Sequence, residues 1–198
     1  MPDRSDPPAV TDVALNVNPW RRQRRTLAYE NAWIQVHHDE VIRPDGQPGI
    51  YGVVHFRNRA VGVVAIDGDD RVALVGQFRY TIERYSWEIP EGGVASGEDP
   101  LDGARRELRE ETGIEAATWR EIGGFDLSNS ITDETGMLYL ATGLTDGPTA
   151  PEATEDLRLR RVPFAEALAM VDRAEILDAL SQLALERVAR LRAREGSR

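Results

Sequence analysis

Residues 92–114 read GGVASGEDPLDGARRELREETGI, a stretch that combines many carboxylates with glycines near both ends. Asp99 followed by Pro100 predicts the start of a helix, because aspartate is a good N-cap and proline is tolerated at the first helical position. Gly113 predicts the end of the helix. The apolar stripe that we expect to pack against a sheet consists of Leu101, Ala104 and Leu108.

Three glutamates of this helix, Glu107, Glu110 and Glu111, fall within an arc of about 100° beside the apolar stripe. Carboxylates at this spacing repel one another, which suggests a bound cation. Ligation by oxygen alone favours a hard ion, Mg²⁺ or Mn²⁺. Arg106 can pair with Glu110 and orient it, and Glu98 can reach the same place from the preceding loop. Taken alone, the three glutamates also fit an acidic, solvent-exposed helix face.

The complete spacing is more specific than the glutamates. It runs Gly92, five residues, Glu98, seven residues, Arg106-Glu107-Leu108, one residue, Glu110-Glu111, one residue, Gly113-Ile114. This pattern resembles the signature of the Nudix hydrolases at every fixed position. The resemblance implies an α/β fold, namely a Nudix-type α/β/α sandwich with a mixed sheet. It also implies hydrolysis of nucleoside diphosphates that are linked to another group.

The resemblance implies roles for individual residues as well. In that family the signature glutamates bind the catalytic divalent metals, so the implied cofactor is Mg²⁺ or Mn²⁺. The implied metal ligands are Glu107, Glu111, Glu110 and the backbone carbonyl of Glu91. The implied catalytic set contains Glu110 together with Arg106 and Glu98 as orienting residues.

A catalytic base is expected from a different part of the chain. Relatives draw this base from a mobile acidic loop before the last strand, which corresponds here to residues 151–156. Glu155 is the residue we expect to take the proton, with Glu152 as the second choice. An exposed acidic loop without a role is the alternative interpretation.

Several segments outside the signature resemble the ADP-ribose and nucleotide-sugar pyrophosphatase branch of the family. They are Tyr29-Glu30-Asn31 with Trp33, Gln77-Phe78-Arg79-Tyr80, and Trp87-Glu88-Ile89-Pro90-Glu91-Gly92. That branch also carries an N-terminal β-meander that helps to form an intertwined homodimer, so a homodimer is implied here.

Candidate substrate-binding residues lie in these segments. Arg79 could grip the diphosphate bidentately, or it could form an ion pair with Glu88 at the end of a strand. Tyr29 or Trp33 could stack on a base, although packing in the core is an alternative use of either aromatic side chain.

The segment after the signature departs from the expected pattern. Members assigned to ADP-ribose often carry Ser-Pro-Gly there, followed by an acidic residue. Residues 127–134 read LSNSITDE, which keeps Glu134 as a candidate substrate-binding residue but lacks proline and glycine. Other nucleotide sugars, such as GDP-mannose or ADP-glucose, are therefore candidate substrates in addition to ADP-ribose.

The sequence thus predicts a Mg²⁺-dependent pyrophosphohydrolase of a nucleoside diphosphate sugar, with ADP-ribose as the first candidate. The products would be a nucleoside monophosphate and a sugar phosphate. Hydrolysis of nucleoside triphosphates or dinucleoside polyphosphates is a second enzymatic interpretation. A non-catalytic module that senses ADP-ribose is a third, but such modules should have damaged signature glutamates.

Three regions follow from the pattern along the chain. We expect a flexible tail at 1–19, an antiparallel β-meander at 20–58 and the Nudix hydrolase domain at 59–198. Within the meander, residues 33–37 alternate and Asp45-Gly46 predicts a turn. The catalytic region ends in two segments with helical spacing, 164–171 and 176–194.

Composition excludes several classes of function. The net charge of −10 argues against binding of nucleic acids, which relies on basic surfaces, and against binding of an anionic membrane. The sequence has no apolar run long enough to span a membrane, no secretory signal pattern and no cysteine. We therefore expect a cytoplasmic protein without disulfides.

Overall fold

The N-terminal part of the chain forms a small antiparallel sheet. The computed structural model describes residues 17–148 and 157–196. This sheet has the order β1-β2-β3, and its strands lie inside the range 20–58. The strands are β1 (Arg21–Glu30), β2 (Ile34–Ile42) and β3 (Pro48–Phe56).

A mixed sheet follows, as predicted. Within the described residues it contains seven strands in the order β10-β5-β4-β9-β8, with β6 beside β5 and β7 beside β4. The pair β4–β9 is parallel and the other pairs are antiparallel. The strands are β4 (Arg59–Ile66), β5 (Arg71–Arg79), β6 (Arg84–Glu88), β7 (Glu91–Val94), β8 (Ile114–Asp126), β9 (Thr135–Asp146) and β10 (Arg158–Pro163).

The mixed sheet is split between its two central strands. β4 and β5 pair at Ile66 and Val72 and then diverge. β6 continues along β5 and β7 continues along β4, so both short strands fill the gap. The carbonyl of Pro90, between the short strands, accepts a hydrogen bond of 2.8 Å from the amide of Val63. This split places residues 88–93 inside the sheet, where they border a cleft.

Helices cover both faces of the mixed sheet. They are α1 (Pro100–Thr112), α2 (Phe164–Asp172) and α3 (Ala179–Gly196). Val61, Val63 and Ala65 of β4 are buried in one apolar cluster with the α1 residues Ala104 and Leu108. The alternate residues of β4 belong to a second cluster with α2 and α3. The predicted α/β/α sandwich is therefore confirmed.

The ends of α1 lie where the sequence predicts them. The side chain of Asp99 accepts a hydrogen bond of 2.9 Å from the amide of Leu101, and Pro100 is the first helical residue. Gly113 ends the helix with φ +71°, a conformation that favours glycine. A Cβ at Gly113 would lie 2.2 Å from the carbonyl oxygen of Gly147, so glycine is required there for space as well.

The front sheet contacts the mixed sheet through the segment 130–133. The hydroxyl of Tyr51 donates to the carbonyl of Ser130 at 2.7 Å, and the amide of Val54 donates to the carbonyl of Ile131 at 2.9 Å. Asp133 accepts from the amide of Phe56 at 2.9 Å. The segment that departs from the family pattern thus positions the front sheet. No helix in the described ranges is long and apolar enough to cross a membrane.

One ion pair of the front sheet is expected to make stability depend on pH. Arg25 donates two hydrogen bonds of 2.7 Å to the carboxylate of Asp39, which is 4% exposed. These bonds hold the pKa of Asp39 below 3.8, against the opposing effect of burial. The folded-state pKa is therefore depressed, and the contribution is present above the unfolded value and lost as pH falls through the folded value.

We predict that Asp39→Asn lowers the free energy of unfolding by about 1–2 kcal/mol at pH 7. The difference from wild type should shrink below about pH 4, as measured by urea unfolding at a series of pH values. Glu40→Gln is the matched control, because its partner Arg24 is 67% exposed and such pairs contribute about 0–1 kcal/mol. Equal losses in the two variants would contradict the prediction.

Candidate active site

A cleft of about 410 Å³ opens where the mixed sheet splits. One side of it comes from the front sheet and the linker to β4, and includes Trp33, Phe56 and Asn58. The other side comes from the short strands, from the last turn of α1 and from the start of α3. The charged side chains of its wall are Arg59, Arg79, Glu91, Glu111, Glu134 and Asp178.

Arg106 joins the helix of the signature to the loop and the strand before it. Its guanidinium donates to the carbonyl of Gly93 at 2.7 Å and to Glu98 at 3.1 and 3.2 Å. The same group donates to Glu107 at 2.8 Å and to Glu110 at 3.1 Å. The hydrogen bond from Arg106 lowers the pKa of Glu98. One guanidinium therefore donates hydrogen bonds to three carboxylates.

Glu107 and Glu111 are held against the backbone of β7. A Cβ at Gly92 would lie 2.1 Å from the carboxyl carbon of Glu107, so only glycine leaves room for this carboxylate. Glu111 is 4% exposed and accepts a hydrogen bond of 3.1 Å from the amide of Glu91. The two helix positions i and i+4 thus bring both carboxylates to the same strand.

Arg79 is fixed by two acidic residues at the base of the cleft. Its Nε donates to both oxygens of Glu88 at 3.0 Å, and its Nη2 donates to Glu91 at 2.8 Å. Burial works to lower the pKa of Arg79, but the hydrogen bond and charge of Glu88 and the charge of Glu91 outweigh this effect. The pKa is therefore raised above its ordinary value, and the guanidinium is always charged. The predicted ion pair between Arg79 and Glu88 is confirmed, and Arg79 also borders the cleft.

The carboxylates at this end of the cleft repel one another. Burial raises the pKa of Glu91 well above its usual range, and Asp178 and Glu88 raise it further. Burial and Asp178 also raise the pKa of Glu134. One carboxylate oxygen of Glu91 is buried and has no hydrogen-bond partner among the residues that the structure describes. The repulsion between these carboxylates is relieved when one of them takes up a proton or when a cation binds between them.

The donor set fits a divalent metal ion. Within the described residues, Glu88, Glu91 and Asp178 each offer a carboxylate oxygen, and the three oxygens lie within 4.8 Å of one another. Glu111 approaches the same strand through its bond to the amide of Glu91. Carboxylates without any nitrogen or sulfur donor are the ligands of hard cations such as Mg²⁺.

The fold and the signature agree with comparisons to known proteins. The model of the NUDIX domain matches residues 56–181, which include the whole signature. The chain belongs to the Nudix family. The model of the nucleoside diphosphate sugar hydrolase N-terminal domain matches residues 20–54, which contain most of the front sheet.

Curated relatives of this Nudix protein include several of similar length. An ADP-ribose pyrophosphatase of Mycobacterium tuberculosis is 36% identical over 157 residues, 77% of this chain and 75% of the relative. One of Bacillus subtilis is 31% identical over 170 residues, 83% of this chain and 91% of the relative. A methanol dehydrogenase activator of Bacillus methanolicus is 33% identical over 155 residues, 77% and 83% of the two chains.

A solved structure shares the fold. The crystal structure of an ADP compounds hydrolase matches with a TM-score of 0.82 at 20% identity, over 91% of this chain and 97% of that chain. At this identity the likeness establishes the Nudix fold, with its small N-terminal sheet.

The structure brings most of the predicted site residues of this Nudix protein together. Trp33, Arg79, Glu91, Glu111 and Glu134 share the wall of one cleft. The remaining members of the signature set, Glu98, Arg106, Glu107 and Glu110, form the hydrogen-bonded group beside it.

One of the predicted residues that the structure describes lies outside the wall of the cleft. Tyr29 is on the exposed strand β1, with 55% of its surface accessible, and does not belong to the wall of the cleft within the described chain. Trp33 is 71% exposed, so neither aromatic packs in the core of this chain. Glu155 and Glu152 lie outside the described residues.

Sequence reasoning missed Asp178. Its carboxylate accepts a hydrogen bond of 2.7 Å from the amide of Ser181 and caps α3. The hydroxyl of Ser181 accepts from the amide of Ile89 at 2.9 Å, which ties the start of α3 to the segment before β7. An aspartate before a helical run is a recognisable cap signal. Its closeness to Glu91 depends on tertiary contacts between residues far apart in sequence.

We predict that Gly92→Ala displaces the Glu107 carboxylate and lowers the free energy of unfolding by about 1–3 kcal/mol. The rise in melting temperature caused by Mg²⁺ should also shrink, because the displaced carboxylate is a proposed ligand. Gly52→Ala is the control, since a Cβ at Gly52 meets nothing within 4 Å. A Gly92→Ala protein with wild-type stability and Mg²⁺ response would contradict this role of the glycine.

Proposed function

We propose that the chain is a Mg²⁺-dependent pyrophosphohydrolase that cleaves the diphosphate of a nucleoside diphosphate sugar, with ADP-ribose as the first candidate. The observation that carries the proposal is the cleft that combines the signature carboxylate of Glu111, Arg79 and the exposed ring of Trp33. Two of the similar proteins are named ADP-ribose pyrophosphatases, which supports this substrate. A cytoplasmic location stays a prediction.

Glu107 and Glu111 would hold the cation, with Glu110 and the backbone carbonyl of Glu91 beside them, and the carboxylates of Glu88, Glu91 and Asp178 would offer a second group of ligands. When bound, the metal neutralises the diphosphate and lowers the pKa of a bound water. Arg106 orients Glu107 and Glu110 through its hydrogen bonds and keeps them from repelling each other. Glu98 holds Arg106 in place from the loop.

The remaining cleft residues would bind the two halves of the substrate. Arg79, whose orientation is fixed by Glu88 and Glu91, can donate to the diphosphate oxygens. Trp33 offers an exposed ring on which a base can stack. Glu134 would accept hydrogen bonds from hydroxyl groups of the sugar. The proton acceptor for the attacking water would be Glu155.

The proposal is tested with a panel of nucleotide sugars and with nucleoside triphosphates as a comparison class. Each compound is incubated with the protein and Mg²⁺, and the nucleoside monophosphate that forms is measured by chromatography. We expect turnover of ADP-ribose or another nucleotide sugar. A correctly folded protein that turns over no nucleotide sugar would refute the proposal, and preference for triphosphates would favour the alternative enzyme class.

We predict that Glu111→Gln lowers kcat by about 100-fold or more, since it removes a proposed metal ligand. The amide can still accept the hydrogen bond from the backbone of residue 91, so the fold should remain intact. Glu186→Gln, at an exposed position of α3, is the control for the same chemical change and should retain wild-type kcat. Equal activity of the two variants would remove Glu111 from the metal site.

We also propose that the protein is a homodimer. Several apolar side chains around the end of β5 are exposed, including Phe78 at 62% and Tyr80 at 88%, and β1 is exposed at every position. Such a surface is typical of an interface. Tyr29 would then contribute from the exposed strand to a second copy.

We predict a mass near twice 22.1 kDa by light scattering, and weaker association for Tyr80→Glu. The substitution replaces the most exposed aromatic ring of this surface with a charged side chain. Leu159→Glu, at an exposed position of the edge strand β10, should leave the mass unchanged. A wild-type monomer at micromolar concentration would contradict the dimer.

A further inference from the structure

A second hollow, with a volume of about 290 Å³, lies beside the main cleft. Arg59 belongs to the walls of both cavities, so the two are neighbours along the start of β4. Arg57 and the loop of the signature, residues 94–98, form the rest of this wall with Pro100. We call this cavity the Arg57–Arg59 hollow.

The two arginines are differently constrained. Arg57 donates to the carbonyl of Asn31 at 3.0 Å and to the carboxylate of Glu30 at 2.7 Å, which fixes its guanidinium. Arg59 is exposed, and no ion pair or hydrogen bond of its side chain exists within the described part of the chain. A free guanidinium beside a fixed one can grip an anion without breaking an internal ion pair.

The negative charge of Glu98, the carboxylate in the wall of the hollow, is already compensated. Glu98 accepts hydrogen bonds from Arg106 at 3.1 and 3.2 Å and from the amide of Ala95 at 2.9 Å. Glu30 offsets part of the charge of Arg57 from outside the wall. Arg59 therefore leaves uncompensated positive charge in a chain whose net charge is −10.

The loop of the signature adds hydrogen-bond donors to the wall of the hollow. A turn from Ala95 to Glu98 is closed by a hydrogen bond of 3.0 Å between the amide of Glu98 and the carbonyl of Ala95, with Gly97 at φ +87°. Ser96, in the middle of the turn, brings a hydroxyl and a backbone amide to the wall. Guanidinium groups with hydroxyl and amide donors are the chemistry that binds a phosphomonoester.

We propose that the Arg57–Arg59 hollow binds a phosphate ester on the nucleoside half of the substrate. The wall that Arg59 shares with the main cleft adjoins Asn58 and Phe56, on the same side as Trp33, the proposed stacking residue for the base. A ribose placed there can carry a 2′- or 3′-phosphate towards Arg59. The substrate class is then a nucleoside diphosphate sugar with an additional phosphomonoester, an inference that rests on the proposed function.

Binding tests the hollow independently of catalysis. The ligands are AMP, adenosine 2′,5′-bisphosphate, adenosine 3′,5′-bisphosphate and inorganic phosphate, titrated calorimetrically into the full chain. We expect one bisphosphate to bind wild type at least about tenfold more tightly than AMP. Arg59→Gln should abolish this advantage. Arg190→Gln, which removes an exposed arginine of α3, is the matched control and should keep it.

Three results would overturn the inference. They are equal affinities of wild type for AMP and both bisphosphates, the same loss in Arg59→Gln and Arg190→Gln, and no binding of any nucleotide. If inorganic phosphate binds in an Arg59-dependent way while AMP and the bisphosphates bind equally, the hollow is a separate phosphate site and the substrate role is refuted.

Turnover separates this inference from the proposed function. The ratio of kcat/KM for 2′-phosphorylated ADP-ribose to that for ADP-ribose should fall about tenfold in Arg59→Gln and stay constant in Arg190→Gln. An unchanged ratio in Arg59→Gln would contradict a role in hydrolysis of the 2′-phosphorylated substrate. If no nucleotide sugar is hydrolysed, the proposed function fails, while the binding comparison still decides whether the hollow recognises a phosphate ester.

Discussion

The guanidinium of Arg106 is the group on which the geometry of the site depends. It bonds to the helix carboxylates Glu107 and Glu110, to Glu98 of the loop and to the carbonyl of Gly93 in β7. Without this cation, the carboxylates of Glu98, Glu107 and Glu110 would lose the hydrogen-bond donor that they share, and Glu107 and Glu110 would repel each other. Arg106 therefore joins loop, helix and strand, and it leaves Glu107 seated against Gly92.

The split in the mixed sheet positions the signature residues beside the cleft. Because β6 and β7 fill the gap between β4 and β5, the strand of the signature lies inside the sheet rather than at its edge. Arg79 reaches the cleft from the end of β5, Glu91 from the start of β7 and Asp178 from the start of α3. The cleft thus combines one fixed guanidinium with two carboxylates of raised pKa, Glu91 and Glu134. That combination suits a substrate with anionic phosphates and neutral hydroxyl groups when a divalent cation is bound.

Local interactions explain why so much of the signature helix was predictable. The cap by Asp99, the proline at the first position and the left-handed Gly113 act within a few residues, so their order in the sequence specifies both ends of α1. The strand β7 was not predicted, since two of its four residues are glycines that carry no β signal. The glycines are needed there because Glu107 and Asn58 approach the backbone closely. Such close approaches are properties of the packed molecule.

The sequence by itself determined the helix with its carboxylate arc and the orienting arginine, because these depend on periodicity, caps and fixed spacing. The Nudix fold followed from the resemblance of that spacing to the signature of the family. Tertiary structure alone decided which other groups meet that helix. Asp178 lies near Glu91 although 87 positions separate them in the sequence, and Arg59 joins two cavities because β4 pairs with β7. Tertiary contacts also decide that the segment 130–133 holds the front sheet against the mixed sheet. Contacts between distant segments arise from strand register and packing, and neither is encoded in the local pattern of either segment.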